Sequence, residues 1–380
     1  MATSIGSSKP FMTASADLRV LFRAPAGPRR GFGHLVRCRS LARALGVRPL
    51  IAIRGGQRAR AAARALGCDV IDGAPAVVIA RVAPHVVVVD DPIASDARRW
   101  IRCARRAGCP VVTVHDLGIG AREGDLVVDG SIVDVSRGGP RSSAVRRGGP
   151  RRGPPAAGEP FQGSPLRTSG RTLLSGPRFA LLDPAFASPL RAVRRPRAPR
   201  VLIALGGGPR ALLGYAIATA VLRELPWACV RIAGGFAVAS ASDRNRIVWT
   251  GPLNGLAGEL AACDVAVVGG GVSLYEACAR GVAAVGVPVV VPQRPTVRGF
   301  VAAGAALGDA TSAPAAERVA RDVVRLLRQP ALRTALAGQG RKLVDGRGAA
   351  RVAEAIRRLS RSCRPSGLPS SVQPRVRRVS

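Results

Sequence analysis

Apolar and polar positions alternate in blocks along the first third of the chain. Short runs of Val and Ile, such as residues 86–89 and 111–114, are separated by stretches in which apolar residues recur at helical spacing, such as residues 35–45 and 97–107. Continuous apolar runs of this length are typical of parallel strands buried on both faces, and the intervening stretches are typical of covering helices. The pattern predicts a parallel sheet wrapped by helices, in the order β-α-β-α-β-α-β.

The alternation returns after residue 200. Predicted strands lie at residues 201–205, 228–233, 247–249, 265–268 and 283–287, and predicted helices at residues 211–225, 253–262, 273–279, 297–303, 316–327, 331–344 and 349–360. A single core seldom grows beyond about 250 to 300 residues, and this chain is longer. The predicted fold class is α/β, with two Rossmann-like doubly wound domains whose parallel sheets face a central cleft.

The segment between the two blocks has a different composition. Arg, Gly, Pro and Ser dominate residues 135–172, which predicts a loop or linker, and the ends of the chain are typical of disorder. The predicted organisation is a disordered extension (residues 1–17), an N-terminal domain (18–134), the loop or linker (135–172), an interdomain connection (173–199), a C-terminal domain (200–346), a helix (347–360) and a disordered tail (361–380).

The net charge of +35, taken alone, favours a polyanionic partner such as nucleic acid or an anionic membrane. All but two of the 58 basic residues are Arg, however, and Arg, Ala, Gly and Pro share GC-rich codons, so genomic composition accounts for the charge. Aromatic residues make up only 3% of the chain and offer few stacking platforms for single-stranded nucleic acid. No specific nucleic-acid partner is predicted.

No part of the sequence predicts a transmembrane segment or a secretory signal. The most apolar stretch, residues 265–291, contains Glu276 and Arg280, and residues 1–17 lack an apolar core. The eight Cys residues form no CxxC pair, which indicates reduced core residues and neither a disulfide framework nor a zinc site. A cytoplasmic protein without a metal or a cofactor is expected.

A glycine-containing turn, Gly31-Phe32-Gly33-His34, follows the first strand and precedes a helix. In parallel α/β sheets, ligands bind at the carboxyl ends of the strands, where helix N-termini expose amide groups. His34 would start the helix, where the dipole favours a neutral imidazole that can accept a proton as a general base. On spacing alone, the alternative of an ordinary helix-start residue stays open.

Polar side chains follow two further strands at the same edge of the predicted sheet. Asp90 and Asp91 follow the Val run, and His115 and Asp116 follow the next strand. Asp90 and Asp116 are candidates for assisting catalysis by orienting a substrate or activating water. Asp91 and His115 are candidate substrate contacts. Helix capping is the alternative role of the acidic residues.

Two triple-glycine turns occupy equivalent places in the second half of the chain, each between a strand and a helix. They consist of Gly206, Gly207 and Gly208 and of Gly269, Gly270 and Gly271. Backbone amides of such turns suit a diphosphate, although triple glycines also make ordinary tight turns. The next helix opens with Ser273 and Glu276, and Glu276 could reach a ribose or form a capping box with Ser273.

These motifs together resemble a known family. Val20-Leu21-Phe22-Arg23, Gly31-Phe32-Gly33-His34, Arg37 and Leu41-Ala42 resemble the opening of the UDP-sugar hydrolases of the pseudaminic acid pathway, which are related to spore-coat polysaccharide proteins. The likeness continues through residues 176–182, 205–207 and 269–277, and it covers most of residues 18–310. The resemblance implies a GT-B fold, with the catalytic and sugar side in the N-terminal domain and the nucleotide in the C-terminal domain.

The resemblance also implies an activity, namely attack of water on a UDP-linked trideoxy-diacetamido sugar without a metal, with release of UDP. His34 would be the active-site histidine, with Gly31, Gly33 and Arg37 on the substrate side. The triple-glycine turns would bind the nucleotide together with Ser273, Glu276 and Gln293.

The sequence departs from the family at three places. Pro292 stands where Asn is usual, His115-Asp116 replaces a pair of acids, and the segment of residues 135–172 is longer than expected.

The leading hypothesis is a nucleotide-sugar hydrolase of polysaccharide or nonulosonate biosynthesis, whose partner is a UDP-sugar. The enzymatic alternative is a GT-B glycosyltransferase, in which an acceptor hydroxyl replaces water and a lipid-linked acceptor would allow peripheral membrane contact. The other alternative is a binding protein that uses Arg-rich loops on nucleic acid or anionic membrane.

Overall fold

A computed structural model describes most of the chain. The described residues are 18–27, 31–115, 123–132, 166–168, 171–188, 198–206, 210–233, 241–242, 246–250, 255–311 and 314–362. Three candidate site residues lie outside the described residues, namely Asp116, Gly207 and Gly208. Both predicted disordered ends and most of the predicted linker also lie outside them.

The first sheet has eight strands, of which seven are parallel. They are β1 (Val20–Pro25), β2 (Leu50–Arg54), β3 (Asp69–Ile71), β4 (Val86–Val89), β5 (Val111–His115), β6 (Leu126–Asp129), β7 (Leu166–Thr168) and β8 (Arg171–Ser175). Their order is β3-β2-β1-β4-β5-β6-β8-β7, and only β7 is antiparallel to its neighbour. Because the chain leaves β1 toward β2 and returns to the other side at β4, the topological switch point lies between β1 and β4.

Helices cover both faces of this sheet. They are α1 (Gly33–Leu45), α2 (Gln57–Ala65), α3 (Pro75–Val82) and α4 (Ala94–Arg106). One face of the sheet packs on α1 and α2 through residues such as Leu35 and Leu41, and the other packs on α3 and α4 through Ile79 and Ile101. Burial on both faces explains why β4 consists of four Val residues, all of them buried.

The second sheet has six strands, of which five are parallel. They are β9 (Arg200–Ala204), β10 (Cys229–Ala233), β11 (Ala241–Ser242), β12 (Ile247–Thr250), β13 (Val265–Gly269) and β14 (Ala283–Val287). The order is β11-β12-β10-β9-β13-β14, with β11 antiparallel to β12. The switch point of this sheet lies between β9 and β13.

Seven helices accompany the second sheet in the described part of the chain. They are α5 (Arg210–Glu224), α6 (Ala257–Ala262), α7 (Val272–Arg280), α8 (Arg294–Ala302), α9 (Ala316–Arg328), α10 (Pro330–Leu343) and α11 (Gly348–Ser362). Helix α11 returns to the first sheet, where Val352 and Ile356 join the core beneath α1. No helix in the described ranges combines the length and the apolar content that crossing a bilayer requires.

The predicted fold class of two parallel-sheet α/β domains is confirmed. The sequence prediction did not include β3, α3 and β6, which are short elements with little apolar periodicity. Strand β7 and the start of β8 fall inside the range of residues 135–172, which the composition predicts as a loop. Backbone pairing between neighbouring strands forms this ribbon although its residues show no apolar alternation. The domain limits themselves stay predictions.

Candidate functional site

The candidate site residues lie at the switch points of the two sheets. The turn with Gly31 and His34 follows β1, and Asp90 follows β4, so these side chains share the first switch point. In the second sheet, Gly206 follows β9 and Gly269 ends β13. Crevices at such points are the usual ligand sites of open α/β sheets.

His34, Arg37 and Asp90 form a compact cluster at the first switch point. The Nδ1 atom of His34 lies 2.8 Å from Oδ1 of Asp90. Arg37 donates from Nε to Oδ2 of Asp90 at 3.0 Å and from Nη2 to Oδ1 at 2.8 Å. Asp90 is 1% exposed, whereas the His34 side chain is 19% exposed. The carboxylate is therefore buried beneath the imidazole and is held by a two-pronged guanidinium contact.

The charge of Asp90 fixes the orientation of the imidazole. Burial would raise the pKa of Asp90, but Arg37 and His34 outweigh burial and lower it to about 2. Nη2 of Arg37 also lies 2.8 Å from Nδ1 of His34, so the two contacts of Nδ1 compete. An unprotonated Nδ1 would place its lone pair against the carboxylate, and we therefore assign the Nδ1 proton to the bond with Asp90. The Nε2 atom, on the opposite side of the ring, is then the basic atom.

Arg37 is the first residue whose position differs from its predicted role. Its side chain is 8% exposed, and its guanidinium contacts Asp90. Because both prongs of the guanidinium are engaged by the buried carboxylate, Arg37 acts on His34 through Asp90 rather than as a substrate contact.

Asp91 is held by cations on the far side of the turn. Arg54 donates to both of its oxygens, at 2.9 and 2.5 Å, and Nε of Arg23 lies 3.4 Å away. The carboxylate also accepts the backbone N–H of Ile93, so it shapes the turn before α4. His115 is 3% exposed at the end of β5, opposite Asp129 in the register. The structure does not bring either side chain into the His34 cluster.

The turn that precedes α1 is closed by backbone pairing. Gly27 and Gly31 exchange N–H to carbonyl hydrogen bonds of 3.2 and 2.8 Å. Gly31 has φ of +78°, a conformation that glycine adopts at little cost. The amide of Gly31 is thus used within the turn, and the adjoining Gly33 begins the helix that carries His34.

The three glycines of the second turn are not equivalent. Gly269 belongs to β13, and Gly270 donates its N–H to the carbonyl of Val287, so this amide is engaged in the fold. Gly271 is half-buried and is the N-cap of α7, followed by Val272 and Ser273 in the first turn. The start of α7 therefore offers the anion-binding helix end. Because the cap is Gly271 without a side-chain bond, the capping box of Ser273 and Glu276 is not formed.

Gln293 is close to this turn. Its Oε1 accepts the N–H of Val289 at 3.0 Å, and its Nε2 would lie 3.4 Å from a Cβ at Gly271. The predicted association of Gln293 with the second glycine turn is thus matched by contact.

Arg210, at the start of α5, was not among the predicted residues. Its Nη1 would lie 3.1 Å from a Cβ at Gly206, which has φ of +89°. The position of Arg210 at a helix start, three residues past the glycines, is the signal that could have identified it.

Glu276 is a buried carboxyl group in α7, 5% exposed. Burial, and secondarily the negative charge of Asp183, raises the pKa of Glu276 to about 7. Asp183 is in turn bound by Arg43 of α1, with 2.5 Å between Nη1 and Oδ2. A buried carboxyl with a pKa near neutrality is a candidate for ligand recognition.

The two switch points meet in space. A Cβ at Gly33 would lie 3.7 Å from Cγ2 of Val272, so the N-terminus of α1 approaches that of α7 directly. His34 and Ser273 are the next residues of their helices. Within the described ranges, no three His, Cys, Asp or Glu side chains cluster in a way that could hold a metal ion. The arrangement combines one oriented base with helix ends suited to an anion.

Gly270→Ala tests the packing beneath this crevice. A Cβ at position 270 would lie 2.6 Å from Cγ2 of Val297 and 3.0 Å from the backbone carbonyl of Gln293. We expect the free energy of unfolding to fall by about 1–3 kcal/mol through overpacking, as measured by thermal melting. The matched control is Gly258→Ala in α6, where a Cβ meets nothing within 4 Å. A stability loss of equal size in both variants would contradict the packing argument.

Two parallel-sheet domains with ligand turns at their shared crevice define the GT-B fold, and solved structures share it. The MurG protein of Acinetobacter baumannii superposes with a TM-score of 0.57 at 15% identity, over 90% of this chain and 99% of that one. The spinosyn forosaminyltransferase SpnP gives 0.59 at 16% identity, over 90% and 99%. A putative UDP-N-acetylglucosamine 2-epimerase from Listeria monocytogenes gives 0.55 at 12% identity, over 90% and 97%. At these identities the likeness shows the fold.

A curated relative is similar in sequence. The spore coat polysaccharide biosynthesis protein SpsG of Bacillus subtilis (strain 168) is 31% identical over 192 residues, which are 47% of this chain and 56% of the relative. The alignment thus spans about half of the relative's length. No protein-family model matches the chain.

Proposed function

We propose that the protein is a nucleotide-sugar hydrolase that releases UDP from a UDP-linked sugar by attack of water. The observation that carries the proposal is the His34–Asp90 pair, bonded at 2.8 Å, beside the contact of Gly33 with Val272. An oriented imidazole thereby lies next to the helix end at which an anionic leaving group would bind.

The nucleotide side of the crevice would be formed by the second sheet. The helix end at Gly271 and Ser273, with Arg210 near Gly206, would bind the diphosphate through amides and a guanidinium. Glu276 would accept hydrogen bonds from the ribose hydroxyls, and Gln293 would shape the turn from below. Gly207 and Gly208 keep their predicted role at the first glycine turn.

In the proposed reaction, Asp90 keeps the proton of His34 on Nδ1, and Nε2 accepts a proton from water. The water oxygen forms a bond to the anomeric carbon of the sugar. The bond between that carbon and the oxygen of the β-phosphate breaks, and its electron pair leaves with UDP. The amide-rich start of α7 stabilises the negative charge that develops on the leaving diphosphate.

The sugar is proposed from the family resemblance, which points to a trideoxy-diacetamido sugar of polysaccharide or nonulosonate biosynthesis. The name of the SpsG relative, a spore coat polysaccharide biosynthesis protein, supports the same area of metabolism. Asp116, His115 and Asp91 stay predictions as further groups on the sugar side.

The test is incubation of the purified protein with a panel of UDP-sugars and no acceptor, followed by measurement of free UDP. We expect UDP to be released from at least one sugar, in step with the free sugar. Release of UDP only after an acceptor alcohol is added would replace the hydrolase with a glycosyltransferase. Failure to bind UDP in calorimetric titration would reject both activities.

A further inference from the structure

Residues 130–132 leave the first sheet and end inside the second domain. Ile132 is 1% exposed and belongs to the apolar core that includes Leu274 and Phe300. A Cβ at position 299 would lie 2.8 Å from Cγ2 of Ile132, so Gly299 in α8 leaves the space that Ile132 fills. The end of β6 is therefore anchored in the core of the other domain.

Tyr275 supplies the polar part of this anchor. Its hydroxyl oxygen accepts the backbone N–H of Ile132 at 3.1 Å in a buried environment. Its ring packs edge-on against Phe300, with 4.9 Å between centroids and 87° between planes. A buried N–H needs an acceptor, so the position of the hydroxyl determines where residue 132 can lie.

Helix α7 thus touches the N-terminal part of the chain at two points. Val272 approaches Gly33 within 3.7 Å, and Tyr275, about one helical turn further on, binds Ile132. Two contacts on one helix set both its position and its tilt relative to α1. Helix α1 carries His34, and α7 carries Ser273 and Glu276.

We propose that Tyr275 is a positioning residue of the reaction. Through its hydrogen bond with Ile132, the hydroxyl holds α7 at the distance from His34 at which water and the anomeric carbon can meet. The inference rests on the proposed hydrolase function. Geometric misplacement by about 1 Å can cost about 100-fold in rate, so a single hydroxyl at this junction can have a large effect.

Tyr275→Phe removes the acceptor and keeps the ring. We expect kcat for UDP release to fall about 10- to 100-fold, while KM and the Kd for UDP stay within about twofold. The pH dependence of kcat/KM should not move, because His34 and Asp90 are unchanged. A merely structural role would instead lower the fraction of protein that binds UDP and leave the kcat of that fraction intact.

The matched control is Tyr215→Phe, since Tyr215 is the other tyrosine of the chain and is 41% exposed on α5. Hydrogen exchange of the Ile132 amide gives a readout that needs no activity. We expect exchange to accelerate at least 10-fold in Tyr275→Phe and not in Tyr215→Phe. Unchanged exchange, or accelerated exchange with unchanged kcat, would overturn the proposal.

The two proposals can fail separately. If the wild-type protein releases UDP from no sugar, the hydrolase proposal fails. The positioning role is then judged by exchange and small-angle scattering of the UDP-bound protein. Tyr275→Phe must raise the radius of gyration there, and an unchanged radius would overturn the inference.

Discussion

His34→Ala is expected to lower kcat for UDP release by about 10²- to 10⁴-fold and to leave the Kd for UDP nearly unchanged. The reason is the division of the site between two sheets. His34 lies on α1 at the first switch point, whereas the proposed nucleotide contacts lie on α7 and at the turns of the second sheet. Calorimetric titration with UDP and a UDP-release assay on the same preparation separate the two effects.

The control for loss of an imidazole is His85→Ala. His85 accepts the backbone N–H of Arg19 through Nδ1, just before the start of β4 and hence at the opposite edge of the sheet from His34. This variant should keep the turnover of the wild-type protein. Full turnover in His34→Ala would remove the imidazole from the mechanism.

Asp90→Asn separates the orientation of the imidazole from its presence. The amide keeps the shape of the side chain but cannot supply the negative charge that holds the Nδ1 proton and Arg37. We expect kcat to fall substantially while the histidine remains in place, as the loss of an orienting carboxylate does elsewhere. Wild-type kcat in Asp90→Asn would show that the bond of 2.8 Å between Nδ1 and Oδ1 has no catalytic role.

The fold and part of the site could be predicted because they depend on short-range pattern. Runs of Val and Ile bounded by glycines identify β1, β4, β9 and β13, and the carboxyl ends of parallel strands share one edge. Residues that directly follow such strands, such as His34 and Asp90, must therefore be neighbours. The structure brings these two within hydrogen-bonding distance.

The remaining features depend on the directions of side chains, which spacing does not specify. Arg37 lies one turn after His34, and only the structure shows that its guanidinium folds back on Asp90. Adjacent carboxylates diverge for the same reason, since Asp90 contacts His34 while Asp91 contacts Arg54. The bond between Ile132 and Tyr275 joins residues 143 positions apart and leaves no local signal in the sequence.

Glu276→Gln is expected to stabilise the protein at pH 8 while weakening UDP binding. The pKa of Glu276 rises from 4.5 to about 7 on folding, because burial and Asp183 disfavour the ionised form. Below pH 4.5 the group is protonated in both states, and its contribution to stability is fully present. Between pH 4.5 and 7, unfolding releases a proton, so this contribution is lost as the pH rises. The loss amounts to about 3 kcal/mol by pH 8, and Gln, which does not ionise, avoids it.

Thermal melting of both proteins from pH 5 to pH 8 measures the difference, because every other titrating group is shared. Near pH 5 the two melting temperatures should nearly coincide, and at pH 8 the variant should melt higher. The control is Glu354→Gln in α11, whose carboxylate is exposed beside Arg358 and should alter neither curve. Parallel curves for wild type and Glu276→Gln across this range would show that Glu276 is ionised without cost. If the carboxylate binds the ribose, UDP affinity of the wild type should also increase above pH 7, because binding then favours the ionised form.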